Sequence, residues 1–342
     1  MKNPKRAKKK ENRVVSLILE KENSYQLNYL RKCREVISVW AKQVKDKRKL
    51  PLTSAHFSLY KTIHSYYKNE MGYWPELVDC RDFNDKIQWL KLFDQDERII
   101  QCTDKIGVRD FVAQRVGTQY LVPLLQRGST LDDLDFSSLP KSFVLKTNND
   151  SGSVFIVRDK SLFNLESVRT QIANALKRKY AWEKGEWSYS CVDPVVFVEK
   201  FVDPENPDPP PDYKFHCVEG RVRQLQYIYD RGDKTKEQMI NREGVSQGYV
   251  LFPRFLAGDA FCKPEQWDEM VRVAETLACG FKYVRVDLYL SQTGQIYVGE
   301  LTFWPMSGCY HGEGQKILGE ALDFDRTTFK PLVYKRFQRA YN

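Results

Sequence analysis

The sequence predicts an α+β fold in which two sheet-bearing lobes follow a helical N-terminal extension. Three observations carry that prediction. With 342 residues, 42% hydrophobic and 13% aromatic, the chain can bury a large core in two or three lobes. Strand-like runs and helical stretches are mixed along it with no internal repeat. Near the C-terminus, two strand-like runs place four polar side chains on one face. The expected divisions are a basic arm with an amphipathic helix (1–50), a helical or α+β region (51–140), a first lobe (141–200), a second lobe (201–330) and a tail (331–342).

Residues 1–13 are polar and basic, with Lys2, Lys5, Arg6, Lys8, Lys9 and Lys10, and read as an unstructured arm. Over 14–44, Leu27, Leu30, Val36, Ile37 and Trp40 fall at helical spacing, giving one or two amphipathic helices. In 84–93, Ile87, Leu90 and Phe93 share a face that Trp89 and Leu92 widen, the pattern of a core helix rather than a cofactor contact. Asp104 or Thr103 then caps a helix through Val108, Phe111, Val112 and Val116, with Gly117 as its stop. A strand is expected at 120–125, a turn or short helix at 131–139, paired strands at 142–147 and 153–158, and a helix at 165–180. A buried strand at 194–202 precedes a Pro-rich loop at 203–211. Strands at 213–218 and 222–229 make a hairpin turning at Glu219-Gly220, and a helix at 264–281 leads into the last hairpin.

The formal charge of +9 is uneven. Residues 1–50 hold 16 Lys and Arg against five Asp and Glu, a local +11 that leaves −2 for the remainder. Nucleic-acid binding is disfavoured, because no basic and aromatic interleaving continues into the body. The arm suits either a peripheral contact with an anionic membrane or a solubilising tail. The eight cysteines, Cys33, Cys80, Cys102, Cys191, Cys217, Cys262, Cys279 and Cys309, form no Cys-x-x-Cys pair and read as reduced thiols. The apolar run at 14–19 is too short to span a bilayer and meets Glu20-Lys21-Glu22 at once. A cytoplasmic protein, at most peripheral to the membrane, is expected.

The last hairpin is the most informative segment. Its strands are Val284-Arg285-Val286-Asp287-Leu288-Tyr289-Leu290 and Gln295-Ile296-Tyr297-Val298-Gly299-Glu300-Leu301-Thr302. A two-residue turn at Thr293-Gly294 pairs Asp287 with Glu300 and Arg285 with Thr302, all on one face. Facing carboxylates about 5 Å apart repel unless a positive group lies between them. A hard divalent cation answers that need, with Arg285 suited to a phosphate or carboxylate. A solvated face with an ordinary ion pair answers it equally from spacing alone.

The hairpin resembles the metal-binding end of ATP-grasp enzymes, which carry an Arg-x-Asp strand, a turn and a Glu-x-Asn strand, with Thr302 here standing where Asn is usual. Within that superfamily the chain is most similar to the TupA-like branch, associated with cell-surface polysaccharide and teichuronopeptide synthesis. The matching stretches are Phe83-Asn84-Asp85-Lys86-Ile87-Gln88-Trp89-Leu90-Lys91-Leu92, Thr103-Asp104-Lys105-Ile106-Gly107-Val108-Arg109, Phe143-Val144-Leu145-Lys146, Asp212-Tyr213-Lys214-Phe215, the Arg285–Asp287 strand and Gly299-Glu300-Leu301-Thr302-Phe303. They span roughly 75–325.

The resemblance implies an ATP-grasp fold whose lobes close over ATP and Mg²⁺. It makes Lys105 and Lys146 phosphate contacts, and the turn with Ser151, Gly152 and Ser153 the loop that covers the phosphates. That turn has fewer glycines than the family pattern, and Asp150 adds a negative charge. Glu199, Lys200 and Phe201 would form the hinge that receives adenine, Lys214 would reach the γ-phosphate, and Asp287, Glu300 and Thr302 would hold the metal. Arg285 and Lys214 are the catalytic candidates. Read without the resemblance, Lys146 is the solvated charge that a strand-end lysine usually is, Glu199-Lys200 is a surface pair at a strand end, and His216 is equally packed or exposed. The run Phe303-Trp304-Pro305-Met306-Ser307-Gly308 matches the family turn bordering the acceptor site, with His311 and Glu313 just beyond it.

The implied activity is a carboxylate–amine ligase that joins an amino acid with a uronic-acid or polysaccharide substrate through an acylphosphate. Two other readings use the same nucleotide site: a phosphotransferase acting on a sugar or lipid-linked hydroxyl, and a non-catalytic nucleotide-binding protein. No Ser-His-Asp or Cys-His nucleophile set is evident.

Overall fold

The computed structural model describes residues 54–149, 152–178, 183–206 and 210–325. The expected basic arm and its helix, the 331–342 tail, Asp150 and Ser151 lie outside the described residues. Four helices open the described chain: α1 (Ser54–Met71), α2 (Phe83–Phe93), α3 (Glu97–Thr103) and α4 (Gly107–Arg115). Asp82 caps α2 by accepting the Asp85 N–H at 2.9 Å, and every α2 residue is buried. The Ile87, Leu90 and Phe93 stripe enters the main core as expected.

Thr103 closes the unexpected helix α3 instead of capping α4. Asp104 holds the junction, its Oδ1 accepting the Ile106 N–H at 2.8 Å. Gly107 then lets the chain reverse, for a Cβ there would meet the Gln101 carbonyl oxygen at 2.9 Å. Gly117, at φ 110°, stops α4 as the sequence indicates.

The smaller sheet comprises β1 (Leu124–Gly128), β2 (Phe143–Thr147), β3 (Val154–Val157) and β4 (Val196–Lys200), in the order β1-β4-β2-β3. All its pairs are antiparallel. Phe143, Leu145, Val157, Val196 and Val198 join Val168 and Ile172 of α5 (Leu165–Lys177) in a separate core. Because β1 precedes residue 141, this sheet crosses the expected division at 140.

The larger sheet runs β10-β9-β5-β6-β7-β8. Its strands are β5 (Asp212–Val218), β6 (Arg221–Tyr229), β7 (Lys236–Asn241), β8 (Leu256–Ala257), β9 (Tyr283–Leu290) and β10 (Ile296–Thr302). Only the short β7–β8 pair is parallel. Glu219 and Gly220, at φ 48° and 78°, make the expected β5–β6 turn. Helix α6 (Trp267–Ala278) buries its apolar side in the main core with Phe215, Cys217, Val284 and Val286, and α7 (Gly314–Ala321) lies against α2. Strand β7 escapes a hydrophobicity reading because it carries a fully buried acid. Glu237 accepts from Gln226 Nε2 at 2.6 Å and from the Leu251 and Phe252 N–H groups at 3.0 and 2.9 Å.

The hairpin β9–β10 joins the two sheets. Leu121, ahead of β1, bridges Val298. Asp203, beyond β4, accepts the Gln292 N–H at 2.8 Å. The segments that enter and leave the small sheet therefore both abut the hairpin.

Candidate active site

The hairpin turn is longer than expected. Ser291 donates its N–H to the Gln295 carbonyl at 2.9 Å and Gly294 sits at φ 80°, so Gln292–Gly294 form a three-residue loop. Close to it Tyr289 pairs with Tyr297 and Leu288 with Val298. A bulge at Gly299 then shifts the register by one and restores Asp287 opposite Glu300 and Arg285 opposite Thr302. Two departures cancel, and the predicted pairing stands.

Strand β5 continues the row, with Lys214 opposite Asp287 and His216 opposite Arg285. Arg285 grips Asp287 through Nε and Nη2, each at 2.7 Å. The same Nη2 reaches Glu300 Oε1 at 3.3 Å and Thr302 Oγ1 at 3.2 Å, and Thr302 donates to Glu300 at 2.8 Å. Lys214 Nζ lies 2.7 Å from Asp287 Oδ2 and 3.2 Å from Asp212 Oδ1, and Arg231 pairs with the other Asp212 oxygen. Three cations therefore alternate with three carboxylates across three strands and the turn after β6.

Burial alone would raise the Asp287 carboxyl, but Arg285 and then Lys214 outweigh it and hold the group below the usual aspartate value. Burial would equally lower Arg285, yet Asp287 keeps its guanidinium firmly charged. His216 is fully buried, its Nδ1 2.9 Å from the Tyr283 hydroxyl. Burial, reinforced by Arg285, holds its imidazole well below the ordinary histidine value and therefore neutral. The packed alternative for this histidine is the one observed.

On the small sheet, Lys146 Nζ meets Glu199 Oε2 at 2.7 Å, and Arg109 of α4 meets the other oxygen at 2.9 Å while donating to the Val122 carbonyl at 2.7 Å. Lys105 is half-buried, its N–H 3.4 Å from the Asn148 carbonyl. Gly152 is exposed at φ 118°, Ser153 half-buried, Lys200 exposed and Phe201 buried. Register places Val144, Lys146, Val154, Ile156 and Glu199 on one face. Val154 and Ile156 remain 46% and 51% exposed there, an apolar surface beside two charges.

The two hairpin carboxylates suit magnesium held largely by other ligands. Among the described residues Glu300 keeps Oε2 without a protein partner, and Asp287 Oδ1, which accepts from Arg285 Nε alone, has a second lone pair, whereas Oδ2 already accepts from both Arg285 and Lys214. Among the described residues no group of three or more His, Cys, Asp and Glu could hold a metal ion unaided. Phosphate oxygens and water must complete the shell, which is the ordinary habit of Mg²⁺.

The TupA-like ATPgrasp family model matches residues 85–323, more than two thirds of the chain. The chain belongs to the TupA-like ATP-grasp family. No protein of curated function matches the sequence. Among solved structures it is similar to an L-amino acid ligase from Bacillus licheniformis, at 18% identity over 66% of this chain and 51% of that one, TM-score 0.40. It is also similar to a D-alanine–D-alanine ligase from Bacillus anthracis, at 14% identity over 70% and 68%, TM-score 0.38. The chain thus spans about half the length of the first.

In this TupA-like ATP-grasp protein, Asp212, Arg231 and Arg109 belong to the charged rows although the sequence reading passed over them. Asp212 and Arg109 stand inside matched stretches, so proximity to Lys214 and Lys105 was the available signal. Arg231 lies in a turn and had none. Val154 and Ile156 show in the sequence only a strand pattern, with no sign of which face they share with Lys146. His311 and Glu313 are exposed, and Glu313 is occupied by Lys316 at 2.7 Å.

Proposed function

We propose that the protein is an ATP-dependent carboxylate–amine ligase acting on a cell-surface polysaccharide or its precursor, with an amino acid or uronic-acid group as substrate. The observation that supports it is the row Glu300–Arg285–Asp287–Lys214–Asp212 across the large sheet, with Lys146 and Glu199 on the small one. Both sheets present cations already balanced by carboxylates. Such cations can exchange partners for phosphate without leaving an uncompensated buried charge.

In this reading Lys105 and Lys146 hold the phosphates beneath the turn with Ser151, Gly152 and Ser153. The backbone of Glu199, Lys200 and Phe201 receives adenine, and Val144, Val154 and Ile156 cover its faces. Asp287, Glu300 and Thr302 would hold Mg²⁺, which supplies charge neutralisation at the phosphates when bound. Lys214 and Arg285 steady the transferred phosphoryl group. A substrate carboxylate oxygen takes the γ-phosphoryl group and ADP leaves. An amine then attacks the acyl carbon, phosphate departs with the carboxylate oxygen, and the amine's proton passes to solvent. The groups named need only position and neutralise, the dominant contributions in phosphoryl transfer.

The test is ATP-dependent phosphate release across amino acids and uronic-acid sugars, with mass spectrometry of the product. Free phosphate with a new amide is expected. A stable phosphoester without phosphate release would overturn the proposal in favour of a phosphotransferase, and ATP binding without turnover would favour a nucleotide-binding role.

A further inference from the structure

Helix α2 is buried on all sides, yet one of its rows is polar. Asn84, Gln88 and Lys91 stand at i, i+4 and i+7, the spacing of a single helix face, and all three are fully buried. Each reads the same distant segment. Asn84 donates from Nδ2 to the Tyr310 carbonyl at 2.8 Å and accepts the Tyr310 N–H at 3.0 Å. Gln88 Nε2 donates to the Ser307 and Gly308 carbonyls at 2.9 and 3.0 Å. Lys91 Nζ donates to the Ser307 carbonyl at 2.9 Å, Ser307 Oγ at 2.8 Å and the Lys184 carbonyl at 3.0 Å.

The segment needs such support. Met306, Ser307 and Gly308 lie consecutively at φ 49°, 55° and 68°, and left-handed backbone is costly at the two non-glycine positions. The segment leaves β10 three residues after Thr302 and ends at Tyr310. Among the described residues the Tyr310 hydroxyl is buried without a hydrogen-bond partner. Arg285, Glu237, Lys214 and Asp287 all act on it electrostatically, which sets it in the neighbourhood of the charged row of the large sheet. Leaving a buried hydroxyl unbonded costs on the order of 1–3 kcal/mol, a cost that an incoming polar group would remove.

We propose that Asn84, Gln88 and Lys91 are positioning residues for the acceptor side of the site, fixing residues 305–310 so that Tyr310 offers its hydroxyl to a polar group of the amine-bearing substrate. This rests on the ligase reading. The stripe acts through backbone, which explains why polar side chains are spent inside a helix that an apolar surface could have packed.

The experiment compares the full-length protein with Gln88→Met and Ser307→Ala, which each keep most of the local volume, and follows both kinetics and amide hydrogen exchange. Loss of one or two hydrogen bonds should raise KM for the amine about tenfold while KM for ATP stays within about twofold. The Ser307 and Cys309 amides, bonded to the Trp304 and Met306 carbonyls at 2.8 and 3.0 Å, should exchange faster in Gln88→Met while β9 and β10 keep parental rates. Equal rises in both KM values, or parental exchange at 307 and 309, would overturn the proposal. A parent that forms no amide sinks the ligase reading instead. The exchange result then stands alone for the clamp, and a Gln88→Met variant that does not fold transfers both readouts to Ser307→Ala.

Discussion

Arg285 holds Asp287 two residues along its own strand with both Nε and Nη2, at 2.7 Å each, while Lys214 takes Asp287 from the neighbouring strand at 2.7 Å. Asp287 is 1% exposed. A carboxylate in that position supports the fold as well as serving a metal, so the two hairpin acids should respond differently to neutralisation.

Asp287→Asn leaves the buried Arg285 and the half-buried Lys214 short of a counter-charge and should cost about 3–5 kcal/mol, read from urea unfolding. Glu300→Gln, at a side chain 36% exposed, should change stability by no more than about 0.5 kcal/mol yet abolish ATP turnover. Changing both together should therefore cost at least as much stability as Asp287→Asn alone. The acid limb offers a second check. Asp287 titrates below the usual 3.8, so its contribution is complete above that value and is lost as pH falls through the lower folded value. Parent and Asp287→Asn should converge in stability as the pH drops through that range, and parallel curves would contradict the assignment.

Lys146 and Arg109 divide Glu199 between them, at 2.7 and 2.9 Å. Lys146→Met leaves Glu199 paired with Arg109, so the lobe should stay folded while a phosphate contact disappears. Losing one charge-assisted hydrogen bond, about 1.5–3 kcal/mol, weakens ATP binding roughly 10- to 150-fold. Titration calorimetry with a non-hydrolysable ATP analogue measures it, and unchanged affinity would remove Lys146 from the nucleotide site.

Lys91 gives a stability signature at alkaline pH. Burial draws its ammonium down from 10.5 to about 8, against the opposing pull of Glu186 and then Cys309, with Lys184 adding to the lowering. The Tyr66 ring lies 5.9 Å away. A lysine with a depressed folded value costs stability in full below that value, and the cost is relieved as pH rises towards 10.5, where the unfolded chain also releases its proton. The stability of the parent relative to Lys91→Met should therefore climb between about pH 8 and pH 10.5. A flat difference would mean that Lys91 keeps its ordinary value.

How far the sequence revealed the molecule follows from what each residue must satisfy. Ile87, Leu90 and Phe93, or the alternation through 284–290, advertise burial by period, and the elements they form lie where expected. Strand β7 did not, because Glu237 satisfies its buried charge with three donors that lie outside its own strand. Arg231 was illegible for a similar reason, since only folding brings its turn to Asp212. On α2 the polar row was masked by the apolar one, and nothing local shows that Gln88 and Lys91 answer carbonyls more than two hundred residues away. Local pattern reports burial, whereas the partners of buried polar groups belong to topology.

Gly299 carries the last test, because the site depends on a bulge that the turn alone would not create. The three-residue loop sets Val298 opposite Leu288, and continuing that register would put Gly299 opposite Asp287 and turn Glu300 to the wrong face. The extra residue at Gly299 corrects this, and it is glycine because Tyr289 crosses it. A Cβ there would lie 2.5 Å from Tyr289 Cε2 and 3.0 Å from its Cζ. Gly299→Ala must displace that ring or the bulge, at about 1–3 kcal/mol, the range for overpacking a close contact. If the ring moves, Glu300 stays beside Arg285 and turnover survives at reduced stability. Tyr289, however, lies opposite Asp212 of β5 and two residues from Asp287 on its own strand, so moving it disturbs the charged row. The bulge should therefore yield first, carrying Glu300 away from Arg285 and cutting ATP turnover by more than the loss of folded protein explains. Restoring space with Gly299→Ala, Tyr289→Leu should recover turnover, and failure of that rescue in a folded double variant would show that the bulge does not set the position of Glu300.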